Sequence, residues 1–174
     1  MAGVTMNSGA GQQAARLGIL LAALQGLRSS AVVKTDLASD LNILGGELAG
    51  HQEAGHGNVT AFSVHVEGPR QNLNPILQHE VFRIAGEALR NAFHHSRARR
   101  IEVHIRYDSR QLRVRVQDDG IGIDTGALRP GGRPEHWGLR GMRERAQGIG
   151  GQLEIWSASG AGTEVELTVA FDSP

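Results

Sequence analysis

The sequence predicts an α+β fold, a two-layer α/β sandwich in which a mixed or antiparallel sheet is covered on one face by helices. Three observations predict it. Segments with strand or helix periodicity run in the order strand, helix, two strands, loop, helix, two strands between about residues 58 and 170. Strands and helices do not alternate one for one and no G-x-x-x-x-G-K-[ST] occurs, which excludes a doubly wound nucleotide fold. Finally, Leu73 to Ser96, reading LNPILQHEVFRIAGEALRNAFHHS, is long and amphipathic enough to be the main covering helix.

Met1 to Gly11 has neither a basic start nor an apolar core with a cleavage site, so it is expected to be a disordered tail and not a secretory signal. Residues 12–57 form a broken helical region. Leu17, Leu20, Leu21, Leu24 and Leu27 suit one helix, and Thr35 or Asp36 caps a second in which Leu37, Leu41, Leu44 and Leu48 recur. Neither helix buries a core alone, so each is expected to pack on the main domain or on a second copy of the chain, as in a homodimer. Gly50 to Asn58, with three glycines, looks like a linker, and the main domain is expected over residues 58–174.

Asn58 to Val66 alternates at Phe62, Val64 and Val66, which marks a strand closed by Gly68-Pro69-Arg70. The long helix follows, with Pro75 tolerable in its first turn. Ile101 to Tyr107 and Leu112 to Val116 form a hairpin whose wet side bears Arg106, Arg113 and Arg115. Thr125 to Trp137 has no period and is rich in glycine, proline and arginine, so it reads as a lid-like loop. Leu139, Met142, Ala146 and Ile149 mark a helix ending at Gly148 to Gly151, and Gln152 to Trp156 and Thr163 to Ala170 form a second hairpin.

Eighteen lysines and arginines balance eighteen aspartates and glutamates, so bulk charge selects neither nucleic acid nor an anionic membrane as partner. The absence of cysteine excludes disulfides and thiolate metal sites and fits a cytoplasmic location. The longest apolar run, Leu17 to Leu24, falls far short of the roughly 20 residues that span a bilayer, so no membrane segment is expected in this chain.

Within the long helix, Glu87, Asn91, His94 and His95 share an arc of about 100° beside an apolar face. Read alone, E-x-x-x-N-x-x-H-H is equally a solvated helix face. Three later segments favour a cavity instead: DDGIGID at Asp118, HWGLRGM at His136 and GAGT at Gly160. If that cavity takes a magnesium nucleotide, Asn91 can supply a neutral oxygen to the metal, Glu87 can orient a metal water or accept a proton, and His94 and His95 can donate to phosphate. Asp118 would accept from an exocyclic amine and so select adenine, with Gly120 and Gly122 allowing close approach to the backbone. The alternative is a plain Asp-Gly turn. Gly138 stands where a helix N-terminus attracts phosphate, or is simply an ordinary helix start. Trp137 lies in the loop where it can touch a ligand, and Thr163 can brace the pocket.

These boxes, in this order, resemble the ATP-binding domain of bacterial two-component sensor histidine kinases, in the Bergerat (GHKL) group that also holds gyrase and the MutL repair proteins. RIAGEALRNAFHH and GLRGMRERA look closest to kinases paired with NarL- and LuxR-type regulators, which read R-I-x-x-E-A-L-x-N-x-x-x-H and G-L-x-G-M-R-E-R-A. The resemblance covers about residues 58–170. It implies the Bergerat fold, ATP and Mg2+ as ligands, and transfer of the γ-phosphate to a histidine. It also implies that Asn91 binds magnesium, that Glu87 is its polar or basic catalytic partner and that His95 contacts phosphate. Asp118 would hold the adenine amine, Gly120 and Gly122 would line the base, Gly138 and Leu139 would begin the lid helix, and Thr163 would sit beside the base.

Two positions depart from the family pattern. His94 stands where a lysine or arginine is usual, and His136 where a glycine is usual. QGLRSSAVVKTDLASDLNILGGELA resembles the end of a dimerisation region and its linker, but none of the eight histidines lies in Met1 to Gly50. The phosphate is therefore expected to pass to a histidine-bearing dimerisation domain on another chain or segment, and from there to a response regulator. The alternatives are a non-catalytic nucleotide-binding or dimerisation fragment and an anti-sigma-like serine kinase of the same fold.

Overall fold

Asp36 opens the first described helix, α1 (Leu37–Ala54), by accepting a hydrogen bond from the Ser39 amide at 2.8 Å, and it also pairs with Arg70. The computed structural model describes residues 36–54, 59–123 and 137–171, so the expected tail and the first leucine-rich helix lie outside the described residues. Leu37, Ala38 and Leu41 are buried and Leu44 and Leu48 pack against the same core, at the spacing the sequence shows. A Cβ on Gly86 would meet Leu44 Cδ2 at 3.1 Å, so the helices approach closely. One compact unit begins at Asp36 and includes α1. The stretch expected as a linker from Gly50 is helical as far as Ala54, while residues 55–58 lie outside the described residues. Gly45, Gly46 and Gly50 each weaken a helix locally, and tertiary burial of the leucine face overrides that preference.

Five strands follow in one sheet: β1 (Ala61–Glu67), β2 (Arg100–Tyr107), β3 (Gln111–Asp118), β4 (Gly151–Ser157) and β5 (Thr163–Ala170). Their spatial order is β1-β2-β3-β5-β4, with β1 parallel to β2 and all other pairs antiparallel. The sheet is mixed, as expected. Between β1 and β2 lies α2 (Pro75–His95), capped by Asn74, whose side-chain oxygen accepts from the Ile76 amide at 2.9 Å, and opened by Pro75. Between β3 and β4 lies α3 (Trp137–Gly148), which packs on α2 and β4. The expected lid, Thr125 to His136, lies outside the described residues, and Trp137 is already helical.

Strand alternation sorts the residues into two faces. The covered face carries rows that cross all five strands in register: Val66, Ile105, Val114, Leu167 and Leu153, then Val64, Val103, Val116, Val165 and Ile155. Against them α2 places Val81, Ile84, Ala85, Ala88, Leu89, Ala92 and Phe93. The other face carries charged ladders, in which Arg113 lies 3.6 Å from Glu166 and Arg115 3.8 Å from Glu164. Among the described residues, no helix is long and apolar enough to cross a membrane.

Since Leu41 is fully buried beneath α1, Leu41→Ala is expected to destabilise the chain by about 2–5 kcal/mol. Urea unfolding checks this, and a cost under about 0.5 kcal/mol, typical of a surface site, would mean that α1 is not part of the cooperative core.

Candidate functional site

A third row crosses the covered face at one end of the sheet, and there the chemistry changes. Phe62 and Ile101 continue the apolar pattern, but the next three positions in register are Asp118, Thr163 and Ser157. Polar groups occupy core positions. Above them a cavity of about 320 Å³ opens between α2 and the sheet. From α2 it takes Ala88, Asn91, Ala92 and His95, with Ser96 just beyond; from the sheet it takes Val116, Asp118, Thr163 and Val165. Gly138 and Leu139, at the start of α3, and Ile123 complete the wall. A mostly apolar cavity with a few convergent polar groups suits a small ligand.

Asp118 is 6% exposed, and its Oδ1 accepts from the Gly120 amide at 2.9 Å. Burial is the largest influence and raises its pKa above the usual carboxylate value. The Gly120 and Thr163 amides pull it back, while the neighbouring Asp119 charge pushes it up again. Asp119 behaves oppositely. Burial would raise its pKa too, but amide donors from Arg100 and Arg99, at 2.9 and 2.8 Å, outweigh burial and leave it lowered. Adjacent carboxylates thus differ, the exposed one holding the end of β2 and the buried one facing the cavity.

Six of the residues expected from the sequence meet at this wall: Asn91, His95, Asp118, Gly138, Leu139 and Thr163. Glu87 stands at its rim. Its carboxylate lies 3.2 Å from Arg90 Nη2, and a Cβ on Gly138 would stand 2.6 Å from its other oxygen, so α3 begins against the end of the Glu87 side chain. His94 is exposed and does not line the cavity. It tilts against the His95 ring at 6.2 Å, because one residue along a helix turns the side chain by about 100°.

Gly120 and Gly122 are not among the residues that line this cavity. A Cβ on Gly120 would strike the Ser96 carbonyl, and Gly122, at φ 75°, abuts the Ala158 carbonyl. Their bareness serves the packing of this chain on itself. The side chain of Trp137 lies outside the described residues.

Sequence reasoning missed the groups that hold this loop. Ser96 donates to Ala92 O at 2.6 Å and accepts from the Ala98 amide at 3.0 Å, while its carbonyl receives the Ile121 amide at 2.8 Å. Ser157 accepts from the Ile123 amide at 2.7 Å. Arg90, which holds Glu87, was missed as well. Counting outward from the Ser157–Thr163 turn would have placed Ser157 opposite Thr163, but only the register identifies that row with Asp118.

Comparison with known proteins gives a consistent result. Residues 77–173 match the family model described as histidine kinase-, DNA gyrase B-, and HSP90-like ATPase, which is more than half the chain. Among curated proteins, the sensor histidine kinase LiaS of Bacillus subtilis (strain 168) is 38% identical over 93 residues, covering 53% of this chain and 25% of LiaS. The nitrate/nitrite sensor protein NarX of Escherichia coli (strain K12) is 36% identical over 88 residues, covering 51% of this chain and 14% of NarX. The chain thus spans a quarter or less of those relatives. Among solved structures, a histidine kinase domain from the blue-light activated histidine kinase of Erythrobacter litoralis EL346 aligns with a TM-score of 0.59 at 26% identity. That alignment covers 83% of this chain and 68% of the other.

The raised pKa of Asp118 makes a prediction about stability. A buried carboxylate whose folded pKa lies above its unfolded value favours the fold below the unfolded pKa, and that contribution is lost as pH rises through the folded value. Asp118→Asn carries no such charge. Relative to the parent, its stability is expected to be most favourable near neutral pH and to lose that advantage as pH falls through the folded pKa of Asp118. Denaturation at a series of pH values reads this directly, and a pH-independent difference would contradict it.

Proposed function

The chain belongs to the histidine kinase-, DNA gyrase B- and HSP90-like ATPases, and from that premise we propose that it is the magnesium-ATP-binding catalytic domain of a sensor histidine kinase. It passes the γ-phosphate to a histidine held on another chain or segment. The observation that carries this reading is a buried carboxylate, Asp118, in an apolar cavity whose facing helix presents Asn91 and His95. The names of its relatives point the same way.

In this reading Asp118 accepts from the exocyclic amine of adenine, and Ala88, Ala92, Val116, Leu139 and Val165 hold the ring by contact. Amides at the N-terminus of α3, with the helix dipole behind them, face the phosphates, and Gly138 lets that helix end close on Glu87. His95 donates a ring N–H to a phosphate oxygen. The donor set on α2, a neutral amide oxygen at Asn91 with the Glu87 carboxylate one turn earlier, suits a hard cation held mostly by phosphate and water. Asn91 would ligate it, Glu87 would orient one of its waters or accept a proton from the attacking imidazole, and Arg90 fixes the Glu87 rotamer. Bound magnesium supplies charge neutralisation at the phosphates. The P–O bond to ADP then breaks as a P–N bond forms to the acceptor histidine.

Its partners would be ATP, a histidine-bearing dimerisation domain and a response regulator. We place it in the cytoplasm, where ATP is available, and regard the region preceding β1 as the end of a dimerisation segment, compatible with a homodimer.

Calorimetric titration with ATP and GTP, each with and without magnesium, tests the nucleotide part of this reading. ATP is expected to bind selectively and more tightly with magnesium. Asp118→Asn, which turns a donor toward the amine, is expected to cost roughly 100-fold in ATP affinity, and unchanged affinity would remove Asp118 from the base. Asn91→Ala is expected to abolish the magnesium enhancement, so equal enhancement in variant and parent would remove Asn91 from the metal. Acid-labile phosphate on a histidine-bearing partner supports transfer, whereas acid-stable phosphate on serine would overturn it.

A further inference from the structure

Ser157 lies on the covered face beside Thr163, which lies beside Asp118 in the same row. A serine hydroxyl has one proton and two lone pairs, and here three partners claim them. The Ile123 amide donates to it at 2.7 Å, it donates to the Gly162 carbonyl at 2.9 Å, and Thr163 Oγ1 stands 3.0 Å away. Gly162 is buried, and the other donor to its carbonyl, the Ala158 amide, is distant at 3.4 Å. A carbonyl cannot donate, so the Ser157 proton goes to Gly162 and the Ile123 amide fills one lone pair. With the Ser157 proton on the closer Gly162 carbonyl, Thr163 donates its own proton to the second lone pair.

We propose that Ser157 is a specificity-determining positioning residue: by taking the Thr163 hydroxyl proton, it leaves Thr163 an acceptor toward the cavity. The polar wall made by Asp118 and Thr163 then offers acceptors and no donor. It fits the amine of a 6-aminopurine and opposes the carbonyl of a 6-oxopurine. This rests on the adenine-nucleotide reading above and extends it to a residue that does not itself line the cavity. Without Ser157, the Thr163 hydroxyl is free to rotate its proton inward and accommodate a carbonyl.

The test compares affinities for ATP and ITP, since hypoxanthine replaces the 6-amine with a carbonyl and lacks the 2-amine of guanine. Ser157→Ala is expected to lower the ATP-to-ITP preference by roughly tenfold, one hydrogen bond's worth of discrimination. Thr163→Val, which has no hydroxyl to rotate, is expected to lose ATP affinity as well. In the Thr163→Val background, adding Ser157→Ala is expected to change the preference no further, because Ser157 acts through Thr163. Ser157→Thr keeps the hydroxyl and is expected to keep the preference.

An equal loss for ATP and ITP in Ser157→Ala would mean that the serine merely holds the loop, and would overturn the proposal. So would an added effect of Ser157→Ala when Thr163 is already valine. Thermal unfolding shows whether Ser157→Ala folds. Should it not fold, an unchanged preference in Thr163→Val alone overturns the idea. Binding of both nucleotides without preference by the parent overturns this proposal alone, and binding of neither overturns the nucleotide reading with it.

Discussion

The carboxylate of Asp118 is the constraint around which one end of the molecule is built. A charge this buried must be hydrogen-bonded, because leaving a polar group unsatisfied in the interior costs on the order of 1–3 kcal/mol and more for an ion. One of its two amide donors is near it in sequence and the other far. Gly120 follows it in a tight turn, and Thr163 opens the strand alongside. For both to reach it, Gly162 must pass so close to the Asp118 carbonyl, at φ 81°, that no side chain fits there. The loop beyond is pinned at Ile121 by the Ser96 carbonyl and at Ile123 by the Ser157 hydroxyl. The cavity wall is thus held by hydrogen bonds whose partners lie on α2, β3, β4 and β5.

α2 has to serve two environments. Its large buried residues, Ile84, Leu89 and Phe93, bring it onto the sheet, with Phe93 against Phe62 at a centroid distance of 5.8 Å. Full burial of each such side chain contributes roughly 1.5–3 kcal/mol. On the face toward the cavity the helix carries Ala88 and Ala92 instead, and opposite them the sheet offers Val116 and Val165 beside the polar Asp118 and Thr163. Small residues there leave a space that the large ones elsewhere do not. The cavity is therefore a local suspension of close packing, bounded by helix contacts firm enough to keep the walls apart.

The family match begins at residue 77, yet the packed unit begins at Asp36. α1 and β1 supply one edge of the core. Asp36 caps α1 and reaches Arg70 in the segment before α2, so the start of the unit is tied to the approach of the nucleotide helix. Around both carboxyl groups the contribution is one of position. A largely exposed pair such as Asp36 with Arg70 adds about 0–1 kcal/mol; the arginine and glutamate ladders on the other face of the sheet are half-buried.

The sequence by itself determined the element order, the two faces of each strand, the amphipathic α2 and six of the residues that meet at the cavity. The elements follow from periodicity, while the cavity residues were read from their side-chain chemistry and from the resemblance to the histidine-kinase ATP-binding domain. It did not determine where the unit starts, since α1 contains glycines that weaken a helix in isolation and only burial of Leu37 and Leu41 against the core compensates. Nor did it show that Gly120 and Gly122 meet the chain's own carbonyls, since strand and turn partners distant in sequence bring those contacts about. His94 and His95 are equally alike until the helix is oriented against the sheet. The alignment of Asp118, Thr163 and Ser157 in one row belonged to the tertiary structure alone, because strand register is set by packing of the valine and isoleucine rows behind it, between residues as much as 53 positions apart.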